Sequence, residues 1–419
     1  MSQTNMAVDT TPNKALAVLL GVSFAHLLND AMQSVVPAVF PMFQQQMQLS
    51  YTEIGWIAFT LNITASILQP AIGFYTDRRP LPILLPLGMC FTLLGMAGLA
   101  LSPSFGSLLL SAALIGVGSS VIHPESSRVA HLAMNHRKGL AQSVFQVGGN
   151  AGQAFAPLMA AFIISPQGQV GFLWFILLAG LGIVLQLGVS RWYSLQTRPS
   201  RITNSTIHGV RSRFSKWFIA YVLGILILML FSKFVYLASM TGYYAFYFMD
   251  KYHLPLTTAQ ISIFALQFAG MAGTFLGGPL ADRFGRQKMI WFSILGTSPF
   301  SLLLPYAGAA GSVVLCAVIG LILMSGFSVI IVYAQEMLPG HVGTVAGLFF
   351  GLAFGMGGLG SVIMGGLMDT HGVELMTQVC AFLPMLGLFA LLLPRDSVLM
   401  GKPNALSSHN RKDSQGITD

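Results

Sequence analysis

The chain has 419 residues, 54% hydrophobic and only 8% charged, against about 25% charged in soluble domains. That composition excludes an ordinary soluble globule and implies a chain that lives in a bilayer. The formal charge of +8 could suggest nucleic acid, but the basic residues sit in short clusters between apolar runs, a distribution that reads as membrane topology.

Apolar runs of about 20 residues or more, each enough to cross a hydrocarbon core about 30 Å thick, recur along nearly the whole length. Backbone groups away from water must be satisfied internally, and the alternation of a barrel strand is absent, so the runs read as helices. The expectation is an all-α membrane protein with twelve transmembrane helices in two pseudo-symmetric six-helix halves. Residues 1–14 form a polar tail. The next segment carries His26, Asn29 and Asp30 without a small-residue cleavage site, and reads as a retained first helix, not a signal peptide. The first half, 15–192, places helices at 15–43, 52–76, 81–101, 106–133, 139–164 and 170–192. Residues 193–216 are polar, contain Pro199 and link to the second half, 217–393. Its helices are expected at 217–249, 257–281, 288–307, 311–337, 342–369 and 375–393, with a tail at 394–419.

The first helix spaces Ser23, His26, Asn29, Asp30 and Gln33 as one polar stripe. The fifth repeats this with Gln142, Gln146, Asn150 and Gln153, and the second offers Asn62 and Gln69. Stripes of this kind are too costly to face lipid, so they face other helices or a wet cavity. The fourth helix holds His123, Pro124, Glu125 and Arg128 together, with the last two on one helical face. The seventh presents Lys233, Tyr236, Met240 and Tyr247, and the eighth and tenth add Gln267, Tyr333 and Glu336. Charges at membrane depth are thus Asp30, Glu125, Arg128, Lys233 and Glu336. Unpaired, they would cost on the order of 10–15 kcal/mol together, so pairing or protonation must relieve most of that. A carboxyl whose basic partner can be taken by an anion is a natural proton switch. Arg128 and Lys233 would attract the oxygens of an anion, while His26 and His123 could relay protons or serve as structural hydrogen-bonders.

Loop charges set the orientation. Lys251 stands alone on one side of the bilayer, whereas Lys14, Arg78, Arg79, Arg137, Lys138, Arg283, Arg286, Lys288 and the basic residues of the linker and C-terminal tail share the other. By the positive-inside bias both termini and the linker are expected in the cytoplasm. The halves also repeat: Asp77 and Asp282 lie 205 residues apart, Glu125 and Glu336 lie 211 apart, and Asp30 and Lys233 lie 203 apart. Cys90, Cys316 and Cys380 stand singly in apolar stretches and read as small hydrophobes. A His-Glu-x-x-His pair, a Gly-x-Ser-x-Gly elbow and a Walker loop are all missing, which argues against an enzyme or an ATP-driven pump.

The loop Gly278 to Arg286, with Asp282, Arg283 and Gly285, resembles the signature of the major facilitator superfamily. The first-half copy is degraded, with Arg79 and Pro80 where Gly is expected. The resemblance implies a gating role for Asp77, Arg78, Asp282, Arg283 and Arg286. Longer strings, His26–Asp30, Gly118–Arg128, Gln142–Asn150, Ser190–Tyr193, Tyr333–Pro339 and Gly347–Gly360, are similar to a bacterial branch of that superfamily that exports a phosphonate antibiotic. The fifth helix, Gly152 to Ala161, keeps Pro157 of an antiporter pattern and substitutes alanine for three glycines.

What this resemblance implies is a monomeric exporter in the bacterial inner membrane, working by alternating access and proton antiport. Its partners would be a small anionic substrate, protons and the lipid bilayer, with no cofactor, metal or nucleic acid. Arg128, Lys233, His26, Gln146, Asn150, Tyr236 and Gln267 are then expected at the substrate. Asp30, Glu125, Glu336 and His123 are expected to carry the proton coupling. An importer or exchanger of a phosphorylated or other anionic metabolite would use the same basic pair.

Overall fold

The computed structural model describes residues 12–134, 138–197, 214–338 and 342–396. The linker and both tails fall largely outside them. Among the described residues ten uninterrupted apolar runs are long enough to cross a bilayer. Two are too long for one crossing: 53 residues from Val144 to Gln196 and 46 from Gly347 to Leu392, about 80 and 70 Å at 1.5 Å per residue. Each folds back at a glycine of positive φ, Gly168 at 66° and Gly372 at 83°, a backbone that other residues adopt only with strain. Ten runs therefore make twelve spans.

In chain order these are α1 (Pro12–Ala38), α2 (Tyr51–Arg78), α3 (Leu84–Leu101), α4 (Phe105–Ala133), α5 (Lys138–Met159) and α6 (Leu173–Gln196). The second set is α7 (Lys216–Ala238), α8 (Leu256–Phe284), α9 (Arg286–Leu295) and α10 (Ala309–Met324), followed by α11 and α12 on either side of Gly372 within Val342–Ala381. The first span is less continuous than expected. Pro37 and Pro41 each lack a backbone donor, and the helix breaks at Val39 before resuming as Phe40–Met47. The tenth span also breaks, at Ser325–Gly326, and resumes as Phe327–Met337.

The fold is inverted relative to a soluble protein. His26, Asn29, Asp30, Glu125 and Lys233 are buried, while Leu110, Phe162, Val184 and Phe275 are more than 60% exposed around the outside. Apolar surface of that kind is stable only against hydrocarbon. Within the first half α1 packs on α5, and α4 on both α2 and α3. In the second half α8 packs on α10, and α9 on the 3₁₀ continuation of α12, Leu383–Leu392.

The halves meet along α2 with α11 and α5 with α8. Since α8 is the second helix of its half and α11 the fifth, the two contacts exchange under the sequence repeat, as expected for parallel halves about a pseudo-two-fold. The α2–α11 contact is backbone against backbone: a Cβ on Gly55 would come within 2.6 Å of Ser361 O, and one on Gly365 within 2.2 Å of Tyr51 O.

The start of α2 is completed by both halves. Ser50 and Glu53 form a capping box, and Asp369 of α11 accepts the backbone N–H groups of Tyr51 and Thr52, each at 2.8 Å, and the Thr52 hydroxyl. At the same end, opposite the linker, Gln260 donates to Ala38 O at 2.6 Å and the rings of Tyr51 and Phe246 meet edge to face. This end is shut by contacts between the halves. Gly365→Val is expected to wedge α2 from α11 and destabilise the protein by about 1–3 kcal/mol. The measurement is the unfolding midpoint in detergent, and an unchanged midpoint would contradict the close approach.

Candidate functional site

A cavity of about 170 Å³ lies between the halves. From the first half it is lined by His26, Asp30, Gln33, Asn62, His123, Gln146, Asn150 and Gln153, and from the second by Gln267, Phe327, Phe350 and Phe354. Gln146, Asn150 and Gln153 reach it together because they recur at helical spacing on α5. Gln267 donates to Gln153 O at 2.9 Å, tying α8 to α5 at the cavity wall.

Asp30 is the centre of the polar lining. His26 Nε2 lies 3.4 Å from one of its oxygens and His123 Nε2 lies 3.3 Å from the other. Gln153 donates to it at 2.9 Å and Asn29 at 3.1 Å. Three helices, α1, α4 and α5, thus converge on one buried carboxylate. The imidazoles are oriented from behind: His26 Nδ1 is 2.9 Å from Phe145 O, and His123 Nδ1 is 2.9 Å from Ser119 O. A carbonyl only accepts, so each Nδ1 carries the hydrogen and each Nε2 is left facing Asp30. Each Nε2–Asp30 contact is a place where a proton can be shared between imidazole and carboxylate. The ligand atoms also lie within 4.8 Å of one another, near enough for one metal ion, which is the alternative chemistry of this group.

Glycine makes the convergence possible. A Cβ on Gly149 would come within 2.5 Å of His26 Nε2 and 2.9 Å of Asp30 Oδ2, and one on Gly152 within 2.2 Å of Leu27 O. The Gly148–Gly149 pair was visible in the sequence, but its role depends on which helix lies opposite, which a single sequence does not show. Gln153 and Asn62 were visible as members of polar stripes.

Several expected site residues lie outside the cavity lining. Arg128 donates to Thr76 O and lies 3.4 Å from the Tyr193 hydroxyl and 3.7 Å from Glu125, whose side chain is fully buried. Thr76 and Tyr193 are near the linker-side ends of α2 and α6, so this geometry fastens helix ends. Glu336, expected at membrane depth, is one residue from the end of its helix, 36% exposed and paired with Arg286. A helix end reaches water, which is why that carboxylate needs no deep partner. The Arg286 backbone N–H also donates to Asp396 Oδ2 at 2.8 Å.

Lys233 is fully buried and donates to Leu323 O behind the Phe327 ring. Tyr236 faces a separate small, mainly apolar pocket that also includes Ser239, Ser301 and Thr377. Asp282 and Arg283 are exposed at the end of α8, and the side chains of Asp77 and Arg78 lie outside the described residues.

The family model of the Major Facilitator Superfamily matches residues 22–360. The chain is similar to the Fosmidomycin resistance protein of Escherichia coli (strain K12), 49% identical over 389 residues that cover 93% of this chain and 95% of that one. It is 44% identical to the uncharacterized MFS-type transporter YfnC of Bacillus subtilis (strain 168), covering 91% and 94%. Among solved structures, a mutant of the nucleoside transporter NupG superposes with a TM-score of 0.68 at 13% identity, over 90% of this chain and 99% of that one. A bacterial homologue of the human lysosomal transporter Spinster, inward-facing and occupied, superposes at 0.69 with 17% identity, over 91% and 97%. At that identity the two likenesses show the fold alone.

Gly149→Ala is expected to push His26 and Asp30 apart and destabilise by about 1–3 kcal/mol, whereas Gly180→Ala, where a Cβ meets nothing within 4 Å, should be neutral or slightly stabilising. Comparing the two unfolding midpoints checks this. Arg128→Met, by leaving Glu125 buried without its guanidinium, should cost roughly 3 kcal/mol and leave the KM for transported substrate near wild type. A large rise in KM at unchanged stability would return Arg128 to the substrate site.

Proposed function

The chain belongs to the major facilitator superfamily, and from that premise we propose that it exports a fosmidomycin-like phosphonate from the cytoplasm in exchange for protons. The observation that carries this reading is the 49% identity to the Fosmidomycin resistance protein across 93% of the chain. The Lys and Arg bias puts the linker end in the cytoplasm of a bacterial inner membrane, so the end shut by Asp369 and Gln260 faces outward.

In this reading the anion enters from the linker side and is received by donors of the cavity: the imidazoles of His26 and His123 and the amides of Gln146, Asn150 and Gln267. Asp30 carries the coupling. Electrostatics alone would load an anion and a proton together, because protonating the His26–Asp30–His123 group makes it more positive. Exchange requires that they exclude one another. Asp30 supplies the exclusion when a polar donor of the substrate takes the carboxylate oxygens that a proton would otherwise satisfy. After release outside, the group refills with protons from the more acidic face, and the empty carrier returns. Arg286 with Glu336 and Arg128 with Glu125 brace the linker-side helix ends within their own halves, and Asp77, Arg78, Asp282 and Arg283 of the repeated loops gate the passage between them.

One observation favours a second reading. Among the described residues lining the cavity the basic ones are the two histidines, and a cavity whose positive charge comes from bound protons suits an importer that moves anion and proton together.

The two readings differ in the sign of one measurement. Purified protein in weakly buffered detergent solution should release protons on addition of fosmidomycin, and Asp30→Asn should abolish the release while keeping the fold. Proton uptake would overturn antiport in favour of cotransport. In liposomes with an acidic exterior relative to the cytoplasmic face, fosmidomycin efflux should stop when the pH difference is collapsed.

A further inference from the structure

A fully buried lysine without a described carboxylate partner needs a reason to exist. Lys233 on α7 is such a residue, and its surroundings show how it is tolerated. The span of α10 breaks at Ser325–Gly326, a break in keeping with how closely Gly326 approaches α9: a Cβ there would come within 1.9 Å of Ser293 Oγ. The last carbonyls of Ala309–Met324 lose their helical partners at this break. Ser325 takes Ile322 O, Thr274 takes Met324 O at 3.3 Å, and the Lys233 ammonium takes Leu323 O. A cation is favoured at the negative end of a helix. Lys233 therefore parks on a half-helix end that lies inside the membrane.

A ring of the cavity wall lies against this ammonium. Nζ lies 5.7 Å from the centroid of Phe327, and Phe327, with Phe234 and Phe350 packed on it edge to face at 5.0 and 5.2 Å, lines the cavity. Phe327 is the first residue after the break, so any change in the bend of this span moves the ring first. We propose that Lys233 is a gated specificity residue: displacement of the Phe327 ring brings its ammonium into the cavity, where it pairs with the anionic group of the substrate. This rests on the anionic-substrate reading above, and it supplies a basic side chain other than histidine, which the described cavity lining lacks. A carbonyl and a ring do not compensate fully for taking an ammonium out of water, so a lysine kept only as a helix cap would be improved by an apolar residue of its length.

The experiment combines Lys233→Met with Phe327→Ala, and Phe327→Leu as a milder second variant should alanine unfold the protein. Lys233→Met is expected to hold or raise the unfolding midpoint and to raise the KM for fosmidomycin in liposomes by on the order of tenfold or more. Phe327→Ala should lower that KM in the wild-type background and leave it unchanged beside Lys233→Met. A readout independent of substrate is labelling by sulfosuccinimidyl acetate, read by peptide mass: Lys233 should react slowly in wild type and readily in Phe327→Ala or Phe327→Leu. Equal labelling in all of them, or a fallen midpoint with unchanged KM in Lys233→Met, would make Lys233 a structural cap and overturn the proposal. If wild type moves no fosmidomycin, the proposed function fails, and the labelling still decides whether Phe327 covers Lys233.

Discussion

The structure depends on satisfying one carboxylate in hydrocarbon. Asp30 sits where water is scarce, and an ionised group there is tolerated only when donors are brought to it. The chain brings them from three helices: His26 and Asn29 along α1, His123 from α4 and Gln153 from α5. That convergence explains glycines 148, 149 and 152, where the backbone of α5 runs against α1 with no room for a Cβ. It also explains why the imidazoles are braced by Phe145 O and Ser119 O. The cavity is the space left where the same polar faces meet the aromatic wall of the other half.

The repeat is a scaffold on which the halves have diverged. Position 30 in α1 and position 233 in α7 correspond in the duplication, yet one holds an acid facing the cavity and the other an ammonium tucked onto a helix end behind a ring. Glu125 and Glu336, 211 residues apart in the sequence, also differ in setting. The first is fully buried beside Arg128, and the second is exposed beside Arg286. The two halves thus share one helix plan while placing unlike charges differently, an acid on the cavity wall and an ammonium behind it.

The fold was legible because hydrocarbon permits few solutions: run lengths, the clustering of Lys and Arg, and the recurrence of Asp77 at Asp282 implied two sets of six helices. The cavity stripe on α5 was legible for the same reason, since amides at 146, 150 and 153 have one inward face to share. Depth was harder. Arg128 and Glu336 look alike in sequence, charges close to apolar stretches, but each lies within about two turns of a helix end, where a guanidinium can reach a neighbouring carbonyl or water. The break at Ser325–Gly326 was not legible at all, because Gly within an apolar run signals packing as often as a bend. Without it the place of Lys233 could not be anticipated.

Asp369 and the start of α2 carry a last consequence. The carboxylate belongs to one half and the amide donors to the other, and both lie at a boundary where water is ready to replace them. Hydrogen bonds exchanged for water change free energy little, so the shut and open forms of this end need differ only slightly in free energy. A seal of that kind keeps no large reserve of binding energy, and a modest preference of a bound solute for one form is enough to swing it.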